Sequence, residues 1–572
     1  MKSHYHRHDR SWRNYARLLV IPLTALSLIS IGTLAAWGAH DTVDKSHRET
    51  VVPTLLSVVN PEDDTLVYAL DNPLYRKLQE AEIVKDTSRD QEELPQLWLD
   101  KTHIRAGDSL VLTWTVGRDS ASGNILLKES DVIALHCDES DSFLDAATIS
   151  QVRATSKFNG GSPDSWWIPS FPNLRQEFCE FRLYTAADND EQPQETRQYF
   201  LTSSTKPLRI VNSKETPSAI HLAYTNDTSK MVVQFTTGDV SGAVPVVLVS
   251  SPNSNTWDRT IEGSMDTYSA DDLCQAPANI TQAGNFYPPG LLHSVTVDDL
   301  QPDALYQYKV GLRQGDDVLV WSKEYSFRTA PECGEHSNPF SYVVYGDQGC
   351  PYSGWSVGRD WLVAMMRRET NLTSVHHFGD IAYAKGAAHI WDGWFDMIQP
   401  MSTRIPIMVA IGNHEYDHTD GGGEGKDPSG VETPYGYMPS WGNFGDDSGG
   451  ECGVTTAKRF QMPASEGSNG VFWYSFDYGI VHTIVMSSEH DLSPGSRQYQ
   501  FIENDLKSVD RSVTPWVVLE SHRPLYEGEG SGSFWIQNQV SQTIRHQIED
   551  LLVDHQVDLV LAGHYHEYQR TC

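Results

Sequence analysis

The first pattern along the chain is an uncharged apolar run behind a basic tail. Residues 18–39, from Leu18 to Ala39, carry no charged side chain, and the tail at 1–17 holds Lys2, Arg7, Arg10, Arg13 and Arg17 against Asp9. A bilayer takes roughly 20 such residues, so the run predicts a membrane-spanning signal anchor. Its basic flank places the tail in the cytoplasm and everything after His40 on the lumenal or extracellular side. The alternative is a cleaved signal peptide, for which Ala36, Gly38 and Ala39 are small enough. Residues 40–94 are polar and irregular and read as a stem, with a short apolar island at Val51 to Val59.

Two β-rich stretches follow. Over 95–212, short alternating runs such as Ser109 to Val116 are separated by Gly, Asp and Ser turns, the pattern of a β-sandwich. Over 213–331 the runs Met231–Thr236, Val246–Val249 and Tyr306–Val310 predict a second sandwich. From 338 to 572 the rhythm changes to strands alternating with helices. The predicted strands are Tyr342–Tyr345, Val375–Gly379, Ile407–Ile411, Val481–Met486, Trp516–Glu520 and Val557–Ala562, and the helical patterns are Val357–Arg368, Ser496–Lys507 and Gln539–Val553. That is an α/β domain, whose sites are expected at the carboxyl ends of its strands.

Charge narrows the partners. With 43 Lys+Arg against 76 Asp+Glu, the net charge of -33 repels a phosphodiester backbone and excludes nucleic acid as an expected partner. A phosphate ester could react here only at a local positive centre. The cysteines Cys137, Cys179, Cys274, Cys333, Cys350, Cys452 and Cys572 are widely spaced, which suits occasional disulfides rather than a zinc ribbon. Sequons at Asn226, Asn279 and Asn371 permit glycosylation in a secretory lumen.

Five short motifs fall at predicted strand ends: Gly346-Asp347-Gln348-Gly349, Gly379-Asp380-Ile381-Ala382-Tyr383, Gly412-Asn413-His414-Glu415, Glu520-Ser521-His522 and Gly563-His564-Tyr565-His566. Alone, each is an ordinary turn or strand end; together, in one α/β domain, they predict a two-metal site. Asp347, Asp380 and Tyr383 with one His favour a hard trivalent ion, whereas Asn413 with two His suits a divalent one, and Asp380 can bridge. Three anionic ligands against such a pair leave a charge of about +2, which attracts a phosphate ester. Two ions about 3.5–4 Å apart can clamp the ester and hold a hydroxide in line. His376 and His377 lie on the strand entering Asp380, where alternation turns one of them inward for packing or support. His418, His482 and His490 read as solvent or support groups, Trp391 and Trp394 as helix-face core, and 421–430 as a rim loop.

These motifs, with Tyr383 after the second Gly-Asp, resemble the purple acid phosphatases within the metallophosphoesterase superfamily. The resemblance extends upstream through Tyr268 to Cys274, Pro288-Pro289-Gly290 and His293, which look like the amino-terminal β domain of the large, plant-type members. It covers about residues 215–572 well and 95–210 more loosely. It implies a multidomain chain with an Ig-like sandwich, a fibronectin III-like domain and an α/β metallophosphoesterase sandwich. By the same resemblance Asp347, Tyr383 and His566 bind ferric iron, Asp380 bridges, Asn413, His522 and His564 bind zinc, manganese or ferrous iron, and the Tyr383 phenolate gives a visible colour. His414 then contacts the substrate phosphate and can protonate the leaving group.

The sequence departs from the family at two places. Where members often carry further histidines after His522, this chain reads Arg523-Pro524-Leu525-Tyr526-Glu527-Gly528-Glu529, and Glu527 or Glu529 near a phosphate would oppose binding. The chain also stops six residues after His566, where members continue through further strands, so the expectation is either a C-terminal truncation or an incomplete layer of the sandwich. The function expected is an acid phosphatase that hydrolyses phosphate monoesters through metal-held hydroxide, without a phosphoenzyme. Its rivals are a nucleotide pyrophosphatase or phosphodiesterase using the same centre, and a non-catalytic cell-surface binding protein. A small phosphate ester, the membrane at the anchor and a second copy in a homodimer are the expected partners.

Overall fold

The structure, a computed structural model, describes the backbone of residues 16–20 and most of residues 94–571. Apart from one- and two-residue gaps, the undescribed internal segments are 119–124, 138–142, 150–163, 187–198, 282–285, 335–339, 350–371, 417–426, 431–446 and 528–534. The predicted stem as far as residue 93, the helical pattern Val357–Arg368, His418, Asn371, Cys350, Glu529 and Cys572 lie outside the described residues. Of the predicted membrane span, Leu18 to Val20 belong to a strand, Ala16–Val20, that pairs in parallel with Phe340–Tyr345. That short piece is extended rather than helical, and the rest of the span lies outside the described residues. Among the described residues no helix is long and apolar enough to cross a membrane.

Both β-rich stretches form two-sheet units. The first joins a three-stranded sheet, containing Leu110–Trp114, to a larger sheet centred on Val132–Cys137 and Phe178–Ala186. Cys137 and Cys179 face each other on adjacent strands of that larger sheet and form a disulfide. The second unit pairs a sheet around Met231–Thr237 and Leu291–Val297 with one around Val244–Ser250 and Leu305–Gln314. Val, Ile and aromatic side chains fill both units, as suits pleated surfaces buried on one side.

In the α/β domain we label the strands β1 (Phe340–Tyr345), β2 (Leu372–His377), β3 (Ile407–Val409), β4 (Tyr474–Tyr478), β5 (Val481–Val485), β6 (Trp516–Ser521) and β7 (Leu559–Ala562). The helices are α1 (Ala388–Ser402), α2 (Val454–Arg459), α3 (Arg497–Ser508) and α4 (Trp535–Asp554). Strands β1, β2 and β3 run parallel in one sheet. In the other, β5, β6 and β7 run parallel and β4 joins β5 antiparallel. β1 is buried at every position, the mark of a parallel strand covered on both faces. The sheets share one core: the Tyr474 hydroxyl on β4 donates to Val409 O at 2.9 Å, and His376 on β2 lies 2.7 Å from Glu520 on β6.

The second sandwich packs on α1. Ser402 Oγ donates to Ile220 O, and Tyr308 Oη donates to Thr403 O, each at 2.8 Å. A buried ion pair ties in the end of the first sandwich, where Arg175 grips both carboxylate oxygens of Asp392 on α1 at 3.1 and 2.7 Å. Trp391 and Trp394 are fully buried, as their helical spacing implies.

Candidate metal centre

Each predicted ligand sits on a loop at the carboxyl end of a strand, and these loops lie against one another. The amides of Asp347, Gln348 and Gly349 donate to the carbonyls of Gly379, Asp380 and Ile381 at 3.1, 3.2 and 3.0 Å, zipping the loop after β1 to the loop after β2. Asp347, Asp380, Tyr383 and His564 all adopt positive φ, at 60°, 52°, 52° and 71°. Such left-handed residues with side chains are held only where their surroundings over-determine them, commonly at functional sites. The glycines of the motifs answer to close approach. A Cβ on Gly563 would lie 2.6 Å from Asp347 Oδ2, and one on Gly412 would collide with Asp380 Oδ1.

The side chains converge in two overlapping groups. In the first, the Tyr383 hydroxyl lies 3.2 Å from Asp347 Oδ1, 3.2 Å from Asp380 Oδ2 and 2.9 Å from His566 Nε2. In the second, His522 Nε2 lies 2.9 Å from Asn413 Oδ1, 3.1 Å from His564 Nδ1 and 3.3 Å from Asp380 Oδ2. One donor atom each from Asp380, His522 and His564 falls within 4.8 Å of the others. The structure therefore brings all seven predicted ligands together, with Asp380 shared between the groups.

This donor set fits a cation pair. The Tyr383 hydroxyl and the His566 ring bring at most one proton each to a cluster that also holds two carboxylate oxygens, so its lone pairs are only partly satisfied by protons. Burial pushes the Tyr383 phenol well above its usual range, and the carboxylates of Asp380 and Asp347 push it further; a phenolate here calls for a strongly charged cation. Burial and Arg523 hold His564 well below the usual histidine range, which leaves it in the neutral, ligating form. Burial opposes the charge on Asp380, but the neighbouring rings of His522 and His414 overcome it and keep the carboxyl ionised.

Supporting groups set the aim of the ligands. His522 Nδ1 bonds Phe378 O at 2.9 Å, which turns Nε2 toward the centre. Asn413 Nδ2 donates to Asp447 Oδ2 at 2.9 Å and so turns its carbonyl oxygen inward. His414 Nδ1 bonds Asp447 O at 2.9 Å, and its Nε2 lies 3.9 Å from Asp380 Oδ2. Arg523 is buried, donates from Nε to Glu489 at 2.8 Å, and places Nη1 3.2 Å from His564 Nε2.

Glu415, Asp447, Glu489 and Arg523 support the site without a predicted role there. Glu415 and Arg523 carried a faint signal, as each directly follows a predicted site histidine. Asp447 carried none, because it lies in an irregular loop. His376 and His377 are both buried, against the expectation that only one turns inward. The cause is that β2 is covered on both faces: His376 reaches Glu520, and His377 packs on Tyr345 and Trp394. His490 is a support group, bonded through Nδ1 to Ser487 Oγ at 2.8 Å. The carboxylate oxygens of Glu527 are buried within the protein.

Comparison with known proteins places these features. Residues 217–329 match the family described as Purple acid Phosphatase, N-terminal domain, and residues 360–568 match Calcineurin-like phosphoesterase. The protein described as probable inactive purple acid phosphatase 9, from Arabidopsis thaliana, is 32% identical over 408 residues, which are 67% of this chain and 58% of that protein. The chain thus spans little more than half of that relative's length. A nucleotide pyrophosphatase/phosphodiesterase of Hordeum vulgare is 35% identical over 270 residues, 45% of this chain and 66% of that protein. In three dimensions, purple acid phosphatase PPD1 from yellow lupin (Lupinus luteus) seeds superposes with a TM-score of 0.65 at 24% identity, covering 84% of this chain and 83% of that one. This structural likeness shows a shared fold.

Proposed function

Because the chain belongs to the purple acid phosphatase family of calcineurin-like phosphoesterases, we propose that it hydrolyses phosphate monoesters at acid pH with one ferric and one divalent ion. The observation that carries this reading is the convergence of seven donor side chains on two points that share Asp380. Asp347, Tyr383 and His566 would hold the ferric ion, and Asn413, His522 and His564 would hold zinc, manganese or ferrous iron, with Asp380 between them. When bound, the pair supplies Lewis-acid charge to the phosphoryl oxygens and acidifies the attacking water.

The chain's own residues orient the ester and move the proton. His414 is held through Nδ1 by Asp447 O, so Nε2 faces the centre, placed to protonate the departing alkoxide. The Tyr383 ring packs against the His414 ring at a tilt of 41°, with centroids 4.3 Å apart, and limits its rotation. A secretory location fits the disulfides Cys137–Cys179 and Cys274–Cys452 among the described residues, since such bonds persist in oxidising compartments. In this reading the catalytic part is lumenal or extracellular, on a type II anchor or secreted.

A second reading, nucleotide pyrophosphatase or phosphodiesterase, is favoured by the barley relative's description. Both are tested by assaying the full chain, loaded with iron and zinc, on p-nitrophenyl phosphate and on bis(p-nitrophenyl) phosphate. The proposal expects faster turnover of the monoester, and faster turnover of the diester selects the second reading. Turnover of neither by protein that holds both ions contradicts a hydrolase and favours a non-catalytic role, in keeping with the relative described as probable inactive.

A further inference from the structure

Loop 447–453 is held from outside the α/β domain. Its Cys452 forms a disulfide with Cys274 of the second sandwich. The amides of Cys274 and Ala278 donate to the carbonyls of Gly450 and Gly449, each at 3.0 Å. Segment 274–278 is so close that side chains are excluded opposite it. Gly450, at φ 86°, abuts the Gln275 carbonyl, and a Cβ on Gly386, at φ 82°, would lie 2.6 Å from the Ala278 nitrogen. Tyr268, Leu273, Ala278, Phe286 and Leu292 of the sandwich share one small apolar cluster with Cys452 and Val454. The far side of the loop is tied to the centre, because Gly453 N donates to Glu415 O at 2.8 Å.

At the head of this loop stands Asp447, which uses two different atoms on two neighbouring site residues. Its carboxylate fixes the Asn413 amide and its carbonyl fixes the His414 ring. We propose that segment 274–278 is a strap by which the amino-terminal sandwich sets loop 447–453, and that Asp447 is a positioning residue for the divalent-ion side of the centre. The inference rests on the two-metal reading above. The chemistry is directional. An acceptor behind its NH2 fixes which way the Asn413 amide turns and so keeps its oxygen toward the centre, and Asp447 Oδ2 is that acceptor. The ferric group of Asp347, Tyr383 and His566 makes no such contact with the loop among the described residues, so losing Asp447 affects one ion and spares the other.

The test uses the full chain with Asp447→Ala, Asp447→Asn and Cys274→Ser, measuring iron content, the visible spectrum and zinc binding by titration after selective removal of the divalent ion. Supporting groups of this kind are worth about 10–100-fold in metal affinity. Asp447→Ala is expected to weaken zinc binding by at least about tenfold while iron content and colour stay as in the parent. Asp447→Asn keeps an acceptor oxygen and restores zinc binding, a rescue that a merely structural role does not produce. Cys274→Ser shifts zinc binding in the same direction as Asp447→Ala. Unchanged zinc affinity in Asp447→Ala overturns the assignment of Asp447, and unchanged affinity in Cys274→Ser overturns the strap; if Asp447→Ala fails to fold, a failure of Asp447→Asn to bind zinc as the parent does overturns the assignment instead. A parent that holds neither ion sinks the two-metal reading itself, an outcome distinct from all of these.

Discussion

The carboxylate of Glu415 accepts a hydrogen bond from the backbone amide of Asp380 at 2.7 Å. The same side chain accepts from Ile381 N at 2.6 Å and Gly412 N at 3.1 Å, so one buried group fastens the loop after β2 to the loop after β3. Glu415→Gln turns one acceptor into a donor that faces an amide N–H. Leaving buried amides unpaired costs about 1–3 kcal/mol each. The variant should lose stability of that order, seen as unfolding at lower urea concentration, and retain less metal, as checked by urea titration and elemental analysis.

Arg175 and Asp392 form an ion pair whose side chains are only 4% and 8% exposed. Breaking a buried pair costs about 3–5 kcal/mol when the other charge is left alone, and here Asp392 keeps the Tyr287 hydroxyl and Arg459 Nη1 at 4.0 Å, which hold the loss to the lower end of that range. Arg175→Met should therefore destabilise the protein by that order, and Arg175→Met with Asp392→Asn should recover part of the loss. A denaturant series on the four proteins of the cycle measures both effects.

His482 sits between Asp477 Oδ1 at 2.6 Å and Asp505 Oδ2 at 2.7 Å. Burial lowers its affinity for the proton, but the two carboxylates outweigh burial and raise the ring to about 9. Because the folded value lies above the usual 6.5 or so, the stabilisation is fully present below that pH and is lost as pH rises through 9. Thermal melts of the parent should fall between these values. In His482→Gln that part of the slope should vanish.

Asp380 touches both donor groups, so Asp380→Asn removes the one charge common to them. Turnover of p-nitrophenyl phosphate should drop below detection in this variant, while circular dichroism stays that of the parent.

The fold was legible where burial imposes a simple code. Strands β1 and β3 are buried along their length and read as apolar runs; β2, β5, β6 and β7 are also legible to within a few residues, although β2 carries Thr373, Ser374, His376 and His377 and β7 is partly exposed. The ligands were legible because each closes such a strand. β4 was missed although Tyr474–Tyr478 alternates aromatic and polar residues as a strand does; it joins the sheet antiparallel through the turn at Gly479, at φ 55°, a hairpin within a domain whose other strands are parallel. Arg175, Asp447 and Glu415 act through contacts far away in sequence or through backbone atoms, and side-chain periodicity carries no record of either.

The central claim is that Asp347, Asp380, Tyr383, Asn413, His522, His564 and His566 enclose two ions. Elemental analysis of the purified full chain, together with its visible spectrum, tests this most directly. The account predicts about two metal ions per chain, one of them iron, and a visible band that Tyr383→Phe abolishes. Folded protein with less than one ion per chain, or a band that survives Tyr383→Phe, would contradict it.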